Sequence, residues 1–246
     1  MRYKVTVSYD GTFFHGFQRQ PKDISVQEVL EKALAIIFKE PITIHGAGRT
    51  DAFVHAKGQV FHFDHETIIP EDNLKKVMNK RCYPHIYITD VKYVDSSFDA
   101  RKSAIKKEYR YYVSINEYDP LKSNYMLFFH DRIDISKIRE AMTYIVGTHD
   151  FRSFARSKNI RNTVRTIESF DLNVNDGVLE FRIVGNGFLY NMVRIIISVM
   201  LKVGEGRFQP EDVQRILNAK SRKACPFVAA PQGLVLYKVM YDEKYE

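Results

Sequence analysis

Apolar and polar positions follow two rhythms along this chain, and their order predicts its elements. Residues 2–9 (RYKVTVSY) alternate with period two, as a half-buried strand does, and Asp10-Gly11 ends that run with a turn. Ser25 with Glu28 three residues later forms a capping box. It opens a helix whose apolar face is Val26, Val29, Leu30, Ala33, Leu34 and Ile37, and Pro41 stops it. Residues 42–46 read as a short strand and 57–64 (KGQVFHFD) as another. Pro70 starts a weakly periodic helix to Arg81, and 86–94 (IYITDVKYV) is a further strand. The order is β-α-β-β-α-β, the split βαβ unit of ferredoxin-like folds.

The second half repeats this order loosely. Residues 108–115 (EYRYYVSI) are a strand. Asp134 caps a helix from Ile135 to Val146, which Gly147 closes. Strands at 164–174 and 178–185 are joined by Asn175-Asp176-Gly177, a hairpin signal. An apolar helix at 188–203 ends at Gly204, a short helix follows Pro210, and 234–240 (LVLYKVM) is the closing strand. The expected fold class is α+β: two ferredoxin-like halves forming a mixed, mainly antiparallel sheet with helices on one face. The expected division is an N-terminal subdomain over 1–100 and a C-terminal one over 101–246. The longest stretch without a clear element is 147–163, GTHDFRSFARSKNIRNT.

Composition adds a partner class. A net charge of +7 favours a polyanion. With no tryptophan but many tyrosines and phenylalanines, the aromatic mix suits both core packing and stacking on bases. Cys82 and Cys225 fit neither a disulfide framework nor a metal motif. The opening MRYKVTVSYD carries no secretion signal and no run is long and apolar enough to span a bilayer, so a cytoplasmic location is expected.

Three features point to chemistry. The first is residues 46–56, GAGRTDAFVHA, between two strands. Gly46 and Gly48 permit a tight turn or close approach, and Arg49 and Asp51 project from the same short loop. On residues alone this is equally a tight turn with a surface ion pair. It is not a phosphate-binding loop, since the Gly-Lys-Ser/Thr element is absent. The second is the helix FLYNMVRIIISVML, whose single charge is Arg194, with Asn191 and Ser198 on the same face. A guanidinium in so apolar a helix needs a carboxylate partner or a route to solvent. The third is a pair of cationic segments. One holds Arg152, Arg156, Lys158, Arg161 and Arg165 with Phe151 and Phe154 between them. The other holds Arg101, Lys102, Lys106, Lys107 and Arg110 beside Tyr109, Tyr111 and Tyr112. Such segments suit a surface that follows an RNA backbone and stacks its bases, as well as an ordinary solvated face. His55, His62 and His65 do not make a metal set, because His62 and His65 point to opposite faces of their strand and no acid or thiol completes them. His55 and His149 are expected to be structural hydrogen-bonding residues.

Taken together and in order, seven segments resemble the TruA family of tRNA pseudouridine synthases. They are YDGTFFHGFQRQ (9–20), SVQEVLEKAL (25–34), GAGRTDAFVHAKGQVFHF (46–63), FDARKSAIKKEYRYYV (98–113), GTHDFRSFA (147–155), GNGFLYNMVRII (185–196) and APQGL (230–234). The resemblance implies a two-subdomain enzyme with a central catalytic cleft, commonly a homodimer, needing no metal or organic cofactor. It implies conversion of uridine to pseudouridine at positions 38–40 of the tRNA anticodon stem-loop, with the target base flipped out of its stack. Carried over by residue, Asp51 matches the catalytic aspartate and Arg194 the arginine that pairs with it. Arg49 matches the arginine that helps extrude the base, and Tyr109 the tyrosine that packs on it. Arg152, Arg156 and Lys158 are the expected backbone contacts. One position departs: the family's usual run is Gly-Arg-Thr-Asp-Ala-Gly-Val-His-Ala, and here Phe53 replaces the second small residue. Phe53 is expected to wall or crowd the substrate pocket.

The chemistry needs an ionised carboxylate in a dry site. That carboxylate either adds covalently to the uracil ring or sugar, or removes the proton beside the ribose 2-prime hydroxyl. The residues alone leave both routes open. Two other readings use the same side chains: a non-catalytic RNA-binding module on a ferredoxin-like scaffold, and an aspartyl-nucleophile hydrolase, which lacks a second carboxylate nearby.

Overall fold

The computed structural model describes residues 1–130, 132–156 and 162–245. Along the chain run β1 (Arg2–Tyr9), α1 (Val26–Phe38), β2 (His45–Gly46), β3 (His55–Asp64), α2 (Glu71–Cys82), β4 (Ile86–Val94), β5 (Lys106–Ser114) and β6 (Leu127–Phe128). There follow α3 (Ile135–Thr143), β7 (Gly147–Asp150), β8 (Val164–Asn175), β9 (Val178–Gly185), α4 (Met192–Gly204), α5 (Asp212–Ala219) and β10 (Leu234–Met240). They gather into two compact units, Met1–Lys107 with Val235–Glu246, and Glu108–Leu234. The division differs from a cut at residue 100 because β10 lies parallel to β3, with Val235 opposite His55 and Leu236 opposite Ala56.

The first unit has the predicted β-α-β-β-α-β order, with strands arranged β4-β1-β3-β10 and β2 paired to β3. β1 is antiparallel to both neighbours. Its alternate residues Tyr3, Val5 and Val7 are fully buried, as are Leu30 and Leu34 of α1 and Leu74 and Met78 of α2. Each such aliphatic side chain contributes about 1.5–3 kcal/mol by leaving water. The two helices pack against each other, and α2 covers β4. Tyr3 stacks on its cross-strand partner Phe63 at 4.8 Å. The Tyr3 hydroxyl is satisfied by accepting from the Ile69 N–H and donating to the Thr67 carbonyl. Ser25 caps α1 as predicted, accepting from the Glu28 N–H at 3.2 Å. The helix ends before Pro41, at Lys39, which turns left-handed with φ of 62°.

The second unit orders its strands β5-β9-β8-β7, with β6 parallel to β5. The β8–β9 hairpin turns at Asp176 and Gly177, both at positive φ, as a tight two-residue turn requires. Two expectations shift. α3 stops at Thr143, and Gly147 begins β7, an edge strand antiparallel to β8, inside the stretch expected to lack structure. Its residues GTHD show no apolar alternation, so pairing alone defines it. α4 begins at Met192 rather than 188, because Asn191 adopts φ of 61° and cannot continue a right-handed turn. From there α4 is buried nearly all round. No helix among the described residues is long and apolar enough to cross a membrane.

Candidate active site

The loop between β2 and β3 carries Arg49, Asp51 and Phe53, and the segment after β1 clasps it from one side. The Thr50 carbonyl accepts from the Phe17 N–H at 3.2 Å, and the Thr50 hydroxyl meets the Tyr9 hydroxyl at 2.8 Å. The Phe53 N–H donates to the Phe14 carbonyl at 3.1 Å. Gly16, at φ of 93°, lies so close that a methyl group there would sit 2.7 Å from the Thr50 carbonyl oxygen. Its place in YDGTFFHGF is therefore dictated by both backbone angle and space. On the other side, the Ala47 N–H donates to the Val60 carbonyl at 2.7 Å and Gln59 Nε2 donates to the Gly48 carbonyl at 3.2 Å. Lys107 Nζ donates to the Ala47 carbonyl at 2.8 Å. Loss of water, with the Arg101 charge as a lesser cause, pushes this amine down to about 8.

The outcome is a loop with little freedom. Arg49 is exposed, Thr50 is buried, and Asp51 is half-buried. The Asp51 carbonyl accepts from the Val54 N–H at 3.2 Å, closing a tight turn. Phe53 sits at φ of 64°. The histidines of each unit serve its own frame. His55 Nδ1 accepts from the Gly11 N–H at 3.0 Å, His62 Nδ1 accepts from the Ala100 N–H at 3.1 Å, and His149 Nε2 meets the Val146 carbonyl at 3.0 Å.

In the second unit, Arg194 is half-buried on the first turns of α4. Its Nε donates to the Ala229 carbonyl at 2.7 Å, and the Ala229 N–H donates back to the Arg194 carbonyl at 3.1 Å. The Tyr111 hydroxyl donates to the Ala230 carbonyl at 2.7 Å, so the APQGL segment is fixed from β5 and α4 together. Tyr109 is buried, with its ring edge-on to Phe188 at 5.1 Å. Ser198 turns back on its own helix, donating to the Ile195 carbonyl.

The cationic segments divide. Arg152 and Arg156 are exposed around the 3-10 turn Phe151–Phe154. The turn is anchored where Asp150 accepts from the Arg152 N–H, and the Arg156 N–H donates to the Tyr190 carbonyl. Lys158 and Arg161 lie outside the described residues. Phe151 and Phe154, expected to interleave as stacking groups, are instead fully buried against each other at 5.9 Å and belong to the core, as does Tyr111. Tyr9, Gly16 and Gln59 hold the loop with no role expected of them from the sequence, and Lys107, expected in a cationic surface, is turned to the Ala47 carbonyl instead. Period-two alternation along β5 was the available signal for Lys107, which shares a strand face with Tyr109, Tyr111 and Val113.

A family model described as tRNA pseudouridine synthase matches residues 5–101 and 141–242. Among curated relatives, the tRNA pseudouridine synthase A of Exiguobacterium sibiricum is 43% identical, over 98% of this chain and 97% of its own length. Those of Bacillus pumilus and Bacillus subtilis are 45% and 43% identical, each over 98% of this chain and 100% of their own.

Proposed function

This chain belongs to the tRNA pseudouridine synthase family, and on that premise we propose that it isomerises uridine in the tRNA anticodon stem-loop, at positions 38–40, with Asp51 as catalytic carboxylate and the base flipped out. Pseudouridine synthases are isomerases. The bond from ribose to uracil nitrogen breaks, the ring turns, and the sugar is rejoined to a ring carbon, whose proton leaves to water. One observation carries the assignment of Asp51. It is half-buried on a loop held on both faces by the contacts of Tyr9, Phe14, Phe17, Gln59 and Lys107. A carboxylate on so constrained a loop meets its substrate with less orientational loss than one on a free loop.

In this reading Asp51 adds to the ring or sugar, or takes the proton beside the 2-prime hydroxyl. Arg194 pairs with its carboxylate, keeping it charged and aimed. Arg49 fills the space the uridine leaves, and Tyr109 packs on the displaced ring. Phe53 walls the pocket, and Arg152, Arg156 and Lys158 hold phosphates. The enzyme works in the cytoplasm as a homodimer. The roles of Asp51, Arg194, Arg49 and Tyr109 are supported by the residue-by-residue match to the family's motifs, and those of Arg152, Arg156 and Lys158 by the run of positive charge they share.

The test uses unmodified tRNA labelled with tritium at the uracil carbon that forms the new bond. Wild type is expected to release label to water and Asp51→Ala to release none. Equal release by both removes Asp51 from the mechanism, and mapping of the products outside positions 38–40 removes the site assignment.

A further inference from the structure

We infer that Lys107 is a positioning residue for the isomerisation, acting through the Ala47 carbonyl to hold the loop that carries Arg49 and Asp51. The inference rests on the catalytic role proposed for Asp51. Three observations carry it. The first is the hydrogen bond from Lys107 Nζ to the Ala47 carbonyl, at the loop's first residue after β2. The second is the fit beside it, since a methyl group added to Gly48 would lie 2.9 Å from Nζ, closer than a side-chain carbon tolerates. The ammonium occupies the space that the missing side chain leaves, one residue before Arg49 and three before Asp51. The third is electrostatic. The amine is withdrawn from water and faces the Arg101 charge, and both push its pKa down. Among the described residues its acceptor is a neutral carbonyl rather than a carboxylate.

A cation held this way costs stability, because one hydrogen bond to a carbonyl does not restore what hydration supplied. An apolar side chain of similar length would pack there at lower cost. What the ammonium adds is direction: a charge-assisted hydrogen bond fixes the loop's entry angle, whereas a methyl terminus would leave it free to rock. Misplacement of a reacting carboxylate by about 1 Å costs on the order of 100-fold in rate. Lys107 thus trades stability for loop register, and this separates it from a residue kept for the fold.

The experiment measures single-turnover tritium release at saturating enzyme, KM for tRNA and the thermal midpoint, for wild type, Lys107→Met, Gly48→Ala, the double variant and Asp51→Ala. Lys107→Met is expected to slow release about 10- to 100-fold with KM within about twofold of wild type and a thermal midpoint equal or higher. Gly48→Ala, which displaces the ammonium without removing it, is expected to slow release similarly, and the double variant to be no slower than the worse single. A lowered midpoint with unchanged release makes Lys107 structural and overturns the inference. A rise in KM alone makes it a substrate contact and overturns it too. Additive slowing in the double variant breaks the link through Gly48. Asp51→Ala serves as the separate control: if it still releases label, the catalytic assignment fails, whereas its silence beside an unaffected Lys107→Met sinks this inference alone.

Discussion

The ring of Phe53 meets the ring of His15 edge-on, 5.4 Å between centroids and 60° between planes, from a backbone held at φ of 64°. The relationship sets what a side chain costs and gains at this left-handed position. A residue with a Cβ carries about 1–2 kcal/mol of strain there, which the contact with His15, worth about 0.5–1.5 kcal/mol, largely offsets. Phe53→Gly removes both and is expected to leave stability within about 1 kcal/mol of wild type. Phe53→Ala keeps the strain and loses the contact, so it is expected to be the least stable of the three, about 0.5–1.5 kcal/mol below wild type. Urea unfolding of the three proteins checks the order. An alanine variant as stable as the glycine one contradicts the strained backbone.

Glu108 is the pivot of the second unit's ion network and predicts its behaviour in acid. The carboxylate is buried, accepting from Arg110 Nε at 2.9 Å and from Arg182 at 3.0 Å. Burial alone would raise its pKa, but the two guanidiniums outweigh it and hold it below the ordinary 4.5. A carboxylate with a depressed folded pKa contributes stability that is complete above the unfolded value and fades as pH falls through the folded one. The difference in unfolding free energy between wild type and Glu108→Gln is therefore expected to be full at pH 6 and to shrink below about pH 4. At neutral pH it should be about 2–3 kcal/mol, less than for a wholly buried pair because the arginines reach solvent. A pH-independent difference removes the ion network as its cause.

How much of this was legible in the sequence follows from which forces are local. The Ser25 and Asp134 caps, the Asp176-Gly177 turn and the alternation of β1 and β4 are written in neighbouring residues, so they could be read directly. β7 could not, because its four polar residues become a strand only by pairing with β8. The start of α4 was misread because Phe188 and Leu189 fit an apolar helix, while the left-handed turn at Asn191 depends on tertiary packing. Phe151 and Phe154 looked like stacking groups because sequence shows that an aromatic lies beside a cation, not which way its ring points. The motif loop was legible as a glycine-flanked turn carrying Arg49 and Asp51, but its supports, Tyr9, Gln59 and Lys107, come from three different strands.

Lys107 makes a second pH prediction, in which stability again rises with pH, here because burial disfavours the charged form rather than because partners favour it. Its ordinary value of 10.5 falls to about 8 in the folded chain. Between those values the unfolded chain binds more protons than the folded one, so stability rises with pH across that window. Below about pH 8 the full penalty of the withdrawn charge is present. Relative to Lys107→Met, wild type is expected to gain up to about 1 kcal/mol per pH unit between pH 8 and 10.5, and to be no more stable than the variant at pH 7. Chemical denaturation of both proteins at a series of pH values measures this. A difference that is flat over the window would show that the amine is not withdrawn from water.

Arg152 and Arg156 test the phosphate-binding surface. Both are exposed on a segment whose backbone is pinned by Asp150 and Tyr190, so their substitution by alanine leaves the fold's contacts in place. If each neutralises one phosphate of bound tRNA, each alanine variant weakens binding and lowers the slope of log affinity against log salt by about 1, because one fewer counterion is released. The loss should appear in KM, with tritium release at saturating tRNA within about twofold of wild type. Filter binding over a range of potassium chloride concentrations reads the slope. Affinity lost at every salt concentration with the slope unchanged would mean that these side chains act by another route than contact with the backbone.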